Sequence, residues 1–249
     1  MKIFKTGKDD APRLQAIQEF TDKFTHDGIS ALGLSDPHAI LEVGAGGGSI
    51  ARWLAAEYPN ATVQAVDIDT SMLTDGQKPL NLEIVEQDIA DVEHTETFDL
   101  IHARFVLSHL LNRDELLAKF VSWLRPGGYL VVTDPYQLPT AESPHPIVAR
   151  VFGAYVDYVE SRGMDLKWVR TVPTLYKRAG LSEVGHFSRT TFLGGGEDDR
   201  WAPLIGPVEE PLQEAGVTEA ELTEFFKALQ DPEVMDIPQI IITVTGRKN

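Results

Sequence analysis

Residues 40–49 read ILEVGAGGGS, a run of apolar residues that leads directly into a cluster of glycines. Glycine has no Cβ, so such a cluster can turn sharply and bring backbone N–H groups close to a ligand. When a helix begins just after the turn, its N-terminus adds further N–H groups at the same place. The stretch therefore predicts a binding site for a nucleotide-bearing ligand at the end of a strand.

The spacing of these glycines does not fit the fingerprint of dinucleotide-binding proteins. That fingerprint needs a third glycine three residues after the second, and counting from Gly44 and Gly46 this position holds Ser49. The sequence instead contains an acid followed by glycines at alternate positions, namely Glu42, Gly44, Gly46 and Gly48. This pattern resembles the first motif of the class I S-adenosylmethionine-dependent methyltransferases.

Later residues resemble further landmarks of the same family. Asp67 closes the run AVDID, and the resemblance implies that its carboxylate holds both ribose hydroxyls of the cofactor in charge-assisted hydrogen bonds. EQDIAD resembles the adenine-recognition motif, in which Asp88 accepts from the exocyclic amine and the Ile89 backbone N–H donates to the ring. Met72 stands where an apolar side chain often packs on the adenine, and a core position is the alternative for it.

Two longer strings complete the resemblance, which covers residues 38–134. FDLIHARFVLSHL resembles the fourth-strand motif, and LRPGGYLVVTD resembles the motif that leads into the fifth strand. The resemblance implies S-adenosylmethionine as cofactor and S-adenosylhomocysteine as its product. The positions implied to bind the cofactor are Glu42, Gly44, Ala45, Gly46, Gly48, Asp67, Ile68, Met72, Asp88, Ile89 and Ala103.

The fourth-strand string also holds the candidates for catalysis. A hydroxyl acceptor benefits from a base that titrates near neutrality, as histidine does. His109 follows the strand by about one helical turn, at the rim where ligands bind in open α/β sheets. We therefore expect His109 to be the base, and a structural histidine is the equal alternative. Arg104 is expected either to orient an anionic or carbonyl substituent or to be a salt-bridge partner.

The elements that position these residues follow from hydrophobic periodicity. Between residue 38 and about 134, short apolar runs alternate with amphipathic stretches, as in βαβ units with a parallel sheet. Strands are predicted at 39–43, 62–67, 82–87, 98–103 and 129–133, and a final pair at 181–192 and 238–248. Helices are predicted at 49–58, in a short segment from Ser71, and at 114–124, where Asn112 and Glu115 form a variant of the capping signature.

Three stretches do not fit this alternation. Residues 1–36 are predicted to be an N-terminal helical cap segment, followed by a methyltransferase domain at 37–249 with lid insertions at about 135–170 and 194–236. GGGEDD at 194–199 predicts a flexible loop. Residues 208–236 are rich in acids and predict a solvated helical face.

The composition narrows the class of acceptor. With 22 Lys and Arg against 38 Asp and Glu, the net charge of -16 would repel a nucleic-acid backbone. HARF stands where nucleic-acid amine methyltransferases carry an Asn or Asp, prolines and an aromatic, and DPY at 134–136 is interpreted as a turn. The predicted lids are rich in aromatics: Tyr136, Phe152, Tyr155, Tyr158, Trp168, Trp201, Phe225 and Phe226. These predict a pocket for a small hydrophobic or aromatic molecule.

Several other kinds of site and location are disfavoured. The chain has no cysteine, which excludes disulfides, thiolate metal sites and a cysteine nucleophile. His94, His102 and His109 are not spaced to share one metal, so no metal is expected. The opening MKIFKTGKDD lacks the apolar core of a signal peptide, and no run of about 18 apolar residues occurs. A soluble cytoplasmic monomer or homodimer, without membrane or nucleic-acid partners, is expected.

The sequence thus predicts an α/β protein with a Rossmann-like class I methyltransferase sheet, mostly parallel with an antiparallel last strand, and helical cap insertions. The expected activity is methyl transfer from S-adenosylmethionine to a small molecule, with a hydroxyl as acceptor. A cyclase or pericyclase that uses the cofactor as a scaffold is the alternative. A nicotinamide dehydrogenase is disfavoured by Ser49, and a non-catalytic binding module by the intact cofactor pattern.

Overall fold

The computed structural model describes residues 7–74 and 78–249, and a seven-stranded sheet forms its centre. The strands of this sheet are β1 Ala39–Val43, β2 Thr62–Asp67, β3 Leu82–Glu86, β4 Phe98–Arg104, β5 Leu124–Gln137, β6 Ser182–Thr190 and β9 Gln239–Arg247. A separate two-stranded ladder joins β7 Leu193–Gly194 to β8 Met235–Asp236.

The strand order across the large sheet is β3-β2-β1-β4-β5-β9-β6. The strands from β3 to β5 are parallel, and β9 is antiparallel to both β5 and β6. The predicted fold class, a mostly parallel sheet with an antiparallel last strand, is therefore confirmed. Because β1 has β2 on one side and β4 on the other, the strand order reverses there, and a crevice opens at the carboxyl ends of these strands.

Helices cover both faces of the sheet. They are α1 Ala11–Ser30, α2 Ser49–Glu57, α3 Arg113–Trp123, α4 Pro146–Ser161, α5 Val172–Arg178, α6 Ala202–Ile205, α7 Glu209–Glu214 and α8 Glu219–Leu229. Successive side chains of β1 point to opposite faces. Ile40 packs in a core with Leu54 of α2, whereas Leu41 belongs to the core that contains Phe120 of α3. A further core joins α4, α6, α7 and α8.

The predicted turn at DPY is wrong. Asp134, Pro135 and Tyr136 continue β5 and pair with an isoleucine run of β9, Ile240–Ile242. The pairing of β5 with β4 ends at Thr133, so beyond this residue β5 has a ladder partner on one side only. A proline, which has no N–H to donate, is tolerated on such a one-sided stretch. Strand β5 is consequently much longer than the apolar run that predicted it.

Three local predictions also differ from the structure. The Asn112 side chain makes no capping hydrogen bond at the start of α3. The short helix predicted from Ser71 is a single turn, in which Thr74 N–H donates to Thr70 C=O, and residues 75–77 lie outside the described residues. The segment at 194–199 is not an irregular loop, because Gly194 is part of β7 and Asp199 accepts from the Gly194 N–H at 3.0 Å.

Candidate active site

A cavity of about 470 Å³ lies at the carboxyl ends of β1, β2 and β4. Its floor includes the glycine turn after β1, and its wall includes Leu14 and Gln18 of α1. The cavity thus occupies the crevice where the strand order reverses, and the N-terminal helix covers it.

The glycine turn has a conformation that other residues adopt only with strain. Gly44 and Gly46 have φ values of 64° and 51°, in the left-handed region. A Cβ on Gly44 would lie 2.3 Å from Cγ2 of Val106, which follows β4. The Gly44 N–H donates to the Val66 carbonyl at 2.8 Å, so the turn is also fixed to β2. Both the backbone angle and the close approach of Val106 require glycine at position 44.

Asp67, the last residue of β2, projects into this cavity. Its Oδ2 accepts a hydrogen bond from the Gly46 N–H at 2.7 Å, and its Oδ1 accepts one from the Asp69 N–H at 3.1 Å. Burial raises the pKa of Asp67, and the backbone hydrogen bonds oppose this rise. A carboxylate oxygen can accept more than one hydrogen bond, so Asp67 retains capacity for a ligand.

Most of the other residues predicted for cofactor binding also line the cavity. These are Glu42, Gly44, Ala45, Gly46, Ile68, Met72, Asp88 and Ile89. Asp88 is exposed and caps a short helical turn, where it accepts from the Ala90 N–H at 2.9 Å. Ala103 and Gly48 do not line the cavity: Ala103 is buried in the sheet core, and Gly48 caps the N-terminus of α2.

Glu42 is hydrogen-bonded to His102, a residue to which no motif assigned a role. His102 Nδ1 lies 2.6 Å from Glu42 Oε2, and both side chains are buried. The two residues occupy facing positions of β1 and β4, which are parallel neighbours. Since facing residues of paired strands lie on the same side of a sheet, this register could have identified His102 once the strand order was known.

Arg104 is held by the N-terminal helix. Its Nη2 donates to Asp22 Oδ1 at 2.8 Å, and its Nη1 donates to Thr25 Oγ1 at 3.0 Å. Asp22 Oδ1 also accepts from Ser49 Oγ, at 3.1 Å, at the start of α2. Arg104 lines the cavity, but these contacts favour the salt-bridge interpretation, in which it fixes α1 over the glycine turn.

His109 lines the cavity from a short turn after β4, as its position in the fourth-strand motif predicted. Burial, together with the nearby Arg13 and Arg113 guanidinium groups, lowers the pKa of His109 to about 4. This pKa differs from the expected titration near neutrality, because burial and two nearby cations all disfavour the charged ring. At neutral pH the imidazole is uncharged.

A charged pair and a buried carboxyl group lie near His109. Arg13 of α1 makes a bidentate ion pair with Asp10, and both residues line the cavity. On the other side, Ser108 donates to Asp134 from its hydroxyl at 2.7 Å and from its N–H at 3.3 Å. Burial raises the pKa of Asp134 to about 7, although the Ser108 hydrogen bonds oppose the rise.

The aromatic residues of the predicted lids do not line this cavity, as the structure describes it. The aromatics of the predicted lids pack into cores, as where Phe152 and Trp201 meet edge to face at 5.0 Å between centroids. Phe105 is the aromatic residue that lines the cavity within the described parts of the chain. The aromatic signal was misleading because large rings between short helices bury one another first.

Residues 7–74 and 78–249 lack two features that would indicate other functions. No group of three or more His, Asp or Glu side chains there could hold a metal ion. In the same residues, no helix is both long enough and apolar enough to cross a membrane.

Comparison with known proteins identifies relatives. A family model described as a methyltransferase domain matches residues 41–130. The methyltransferase Str3 of Strobilurus tenacellus is 31% identical over 208 residues, which cover 82% of this chain and 73% of that protein. Phosphoethanolamine N-methyltransferase 3 of Arabidopsis thaliana is 27% identical over 195 residues, 76% of this chain and 36% of the plant protein. The chain thus spans about a third of the length of this plant relative.

A solved structure is similar over nearly the whole chain. Haemonchus contortus phosphoethanolamine N-methyltransferase 2, in complex with phosphomonomethylethanolamine and S-adenosylhomocysteine, matches with a TM-score of 0.57 and 17% identity, covering 95% of this chain and 52% of that chain. At this identity the similarity shows the fold. Together with the family model and the 31% identity to Str3, it shows that the chain belongs to the class I S-adenosylmethionine-dependent methyltransferases.

Proposed function

We propose that the chain binds S-adenosylmethionine in the cavity and transfers its methyl group to an oxygen atom of a small hydrophobic or aromatic molecule. The observation that carries the proposal is the cavity itself, in which the glycine turn, Asp67 and Asp88 line one continuous surface. The cofactor supplies a methyl group that is activated by a positively charged sulfur.

The residues present fit this cofactor. The glycine turn lines the cavity and presents backbone without side chains, so a ligand can approach this backbone closely. Asp67 and Asp88 would hold the ribose and the adenine, and Ile68 and Met72 would pack against the adenine. Ile68 is 54% exposed, although it lines a cavity, which suits a side chain that a ligand covers.

The charge of the lining also supports a cationic ligand. Among the described lining residues, Arg104 is engaged with Asp22, and Arg13 is engaged with Asp10. Within the described residues, Glu42, Asp67 and Asp88 have no basic side chain as a partner apart from His102, which contacts Glu42. Acidic groups at the wall of a cavity attract a cation and repel an anionic dinucleotide.

The acceptor end of the cavity is the region of His109, Phe105, Val106 and Leu110, three of which are apolar. A neutral imidazole can accept a hydrogen bond from an acceptor hydroxyl and so hold its oxygen in line for methyl transfer. Because its pKa is about 4, His109 is a weak base. An acceptor hydroxyl that is itself acidic, such as a phenol or an enol, would therefore suit this site best.

The test of this function separates cofactor binding from methyl transfer. Calorimetry should detect saturable binding of S-adenosylhomocysteine and no binding of NAD. Incubation with S-adenosylmethionine and a set of phenols and enols should release S-adenosylhomocysteine together with a product heavier by one methyl group. Binding of NAD alone would refute the cofactor. A converted acceptor without S-adenosylhomocysteine would indicate a cyclase or pericyclase, and methylation of amines alone would refute the oxygen acceptor.

A further inference from the structure

Glu42 and His102 form a hydrogen-bonded pair at the wall of the cavity. Glu42 lines the cavity, whereas His102, which faces it on β4, is fully buried. Within the described residues, the His102 ring is the group that hydrogen bonds the Glu42 carboxylate. A carboxylate offers about four acceptor positions, so one hydrogen bond leaves most of them available to a ligand in the cavity.

The burial of His102 determines the net charge of the Glu42–His102 pair. A carboxylate oxygen is an acceptor, so Nδ1 of His102 must carry the proton of their 2.6 Å hydrogen bond. Nε2 of the same ring is buried and has no hydrogen-bond partner in the described parts of the chain. A cationic ring would bury a second N–H without an acceptor, which costs more than leaving the lone pair of a neutral ring without a donor. The pair as a whole therefore carries one negative charge, located on Glu42.

We infer that His102 is a positioning residue for the cofactor: it fixes the Glu42 carboxylate at the cavity wall, where this charge binds the cationic methionine portion of S-adenosylmethionine. The inference rests on the proposed function. Without the hydrogen bond, the Glu42 side chain would gain rotamer freedom, and the buried carboxylate would lose the group that stabilises its charge there.

The substitutions His102→Asn and His102→Leu test this role. Asparagine keeps an N–H donor near the position of Nδ1, whereas leucine fills the space without one. We expect His102→Leu to weaken binding of S-adenosylmethionine by about tenfold or more, the effect of losing roughly 1.4 kcal/mol. His102→Asn should retain most of the affinity. Binding is measured by calorimetry, and thermal melting of each variant establishes that it is folded.

A double-mutant cycle with Glu42→Gln distinguishes positioning from general destabilisation. If His102 acts through Glu42, then His102→Leu should have almost no further effect on cofactor affinity in the Glu42→Gln background. The sulfonium charge supplies a second readout. His102→Leu should weaken S-adenosylmethionine more than S-adenosylhomocysteine, whose sulfur is neutral.

The opposing results are equally specific. Equal affinity of parent and His102→Leu for S-adenosylmethionine would overturn the inference, as would equal losses for leucine and asparagine that follow the melting temperature. Full additivity in the Glu42→Gln background would also overturn it. If the parent protein itself binds neither S-adenosylmethionine nor S-adenosylhomocysteine, the proposed function fails, which is a different result from a parent that binds and a variant that binds equally well.

Discussion

The backbone N–H of Gly46 donates a 2.7 Å hydrogen bond to Oδ2 of Asp67. This bond joins the turn after β1 to the end of β2, so the residue proposed to hold the ribose also holds the glycine turn. The two parts of the cofactor site therefore depend on each other. A change at Asp67 should alter the site in two ways, through a lost ligand contact and through a loosened turn.

Replacement of Asp67 by alanine should weaken binding of S-adenosylhomocysteine by roughly 2 to 4 kcal/mol, because two shielded hydrogen bonds to the ribose are lost together. Asp88→Asn should weaken binding of S-adenosylhomocysteine by less, since one acceptor oxygen remains and the residue is exposed. Calorimetry gives both affinities. If Asp67→Ala remains folded and binds as well as the parent, the ribose role is wrong.

Gly44→Ala should abolish or strongly weaken cofactor binding, because the new Cβ would lie 2.3 Å from the Val106 side chain. Gly33→Ala is a matched control. Gly33 has a φ of 63°, close to the 64° of Gly44, but a Cβ there would meet no atom of the described residues within 4 Å. Both variants carry the same backbone strain, so their difference in melting temperature and in affinity measures the crowding at Val106. Equal behaviour of the two variants would show that this crowding is unimportant.

His109→Ala should leave cofactor affinity nearly unchanged and lower turnover by roughly a hundredfold, the lower end of the range for acid–base groups. Because the pKa of His109 is about 4, its protonation should not reduce the rate in the neutral range. We expect the parent rate to be independent of His109 titration there and to fall only in acid. A loss of rate near neutrality that disappears in His109→Ala would contradict this pKa.

The lowered pKa of His109 also makes the free energy of unfolding depend on pH. Between pH 6.5 and about 4, unfolded His109 binds a proton that the folded residue does not, so stability is lost as the pH falls through this window. The uncharged variant His109→Asn should show a smaller loss over the same range, by up to about 3 kcal/mol. Urea unfolding at several pH values measures the difference, and parallel pH curves for parent and variant would exclude the effect.

Asp134 should contribute to the pH dependence of stability in the opposite direction, and Asp134→Asn tests this. The pKa of Asp134 is raised from 3.8 to about 7, so between these values the folded protein holds a proton that the unfolded chain releases. The contribution of Asp134 to stability therefore declines as the pH rises through this window. Asparagine does not titrate, and relative to the parent it should become more stabilising from acid to mildly alkaline pH, by about 2 to 4 kcal/mol. A pH-independent difference would show that Asp134 keeps an ordinary pKa.

Strands that are marked by a short apolar run could be predicted from the sequence, whereas the extension of a strand by a distant partner could not. The strands before and after the glycine turn were predicted to within a residue, because a buried parallel strand reads as a short apolar run. The extension of β5 through Pro135 could not be predicted, since the residues that allow it lie in β9. Strand extension is decided by a partner that is distant in sequence.

For the candidate site, the sequence indicated the residues that belong to motifs but not the contacts between distant segments. Glu42 in β1, Asp67 at the end of β2 and Asp88 after β3 were indicated by the motifs that they belong to. His102 required the register of β1 against β4. Burial is the main cause of the lowered pKa of His109, and Arg13 of α1 lowers it further. No spacing within the fourth-strand motif indicates that an arginine of the N-terminal helix lies beside this histidine.

The position of β9 has a consequence for how the chain folds. Strand β9 lies between β5 and β6, although both of these precede it in the sequence. Until β9 docks, β6 has no ladder partner in the described sheet, and β5 presents an unpaired edge that includes Val131 and Val132. Such long-range pairing is slow, because the intervening segment must close a loop before any contact compensates for the lost entropy. A partly folded species with an open apolar edge should therefore accumulate during refolding, and its lifetime should set the protein concentration at which aggregation competes.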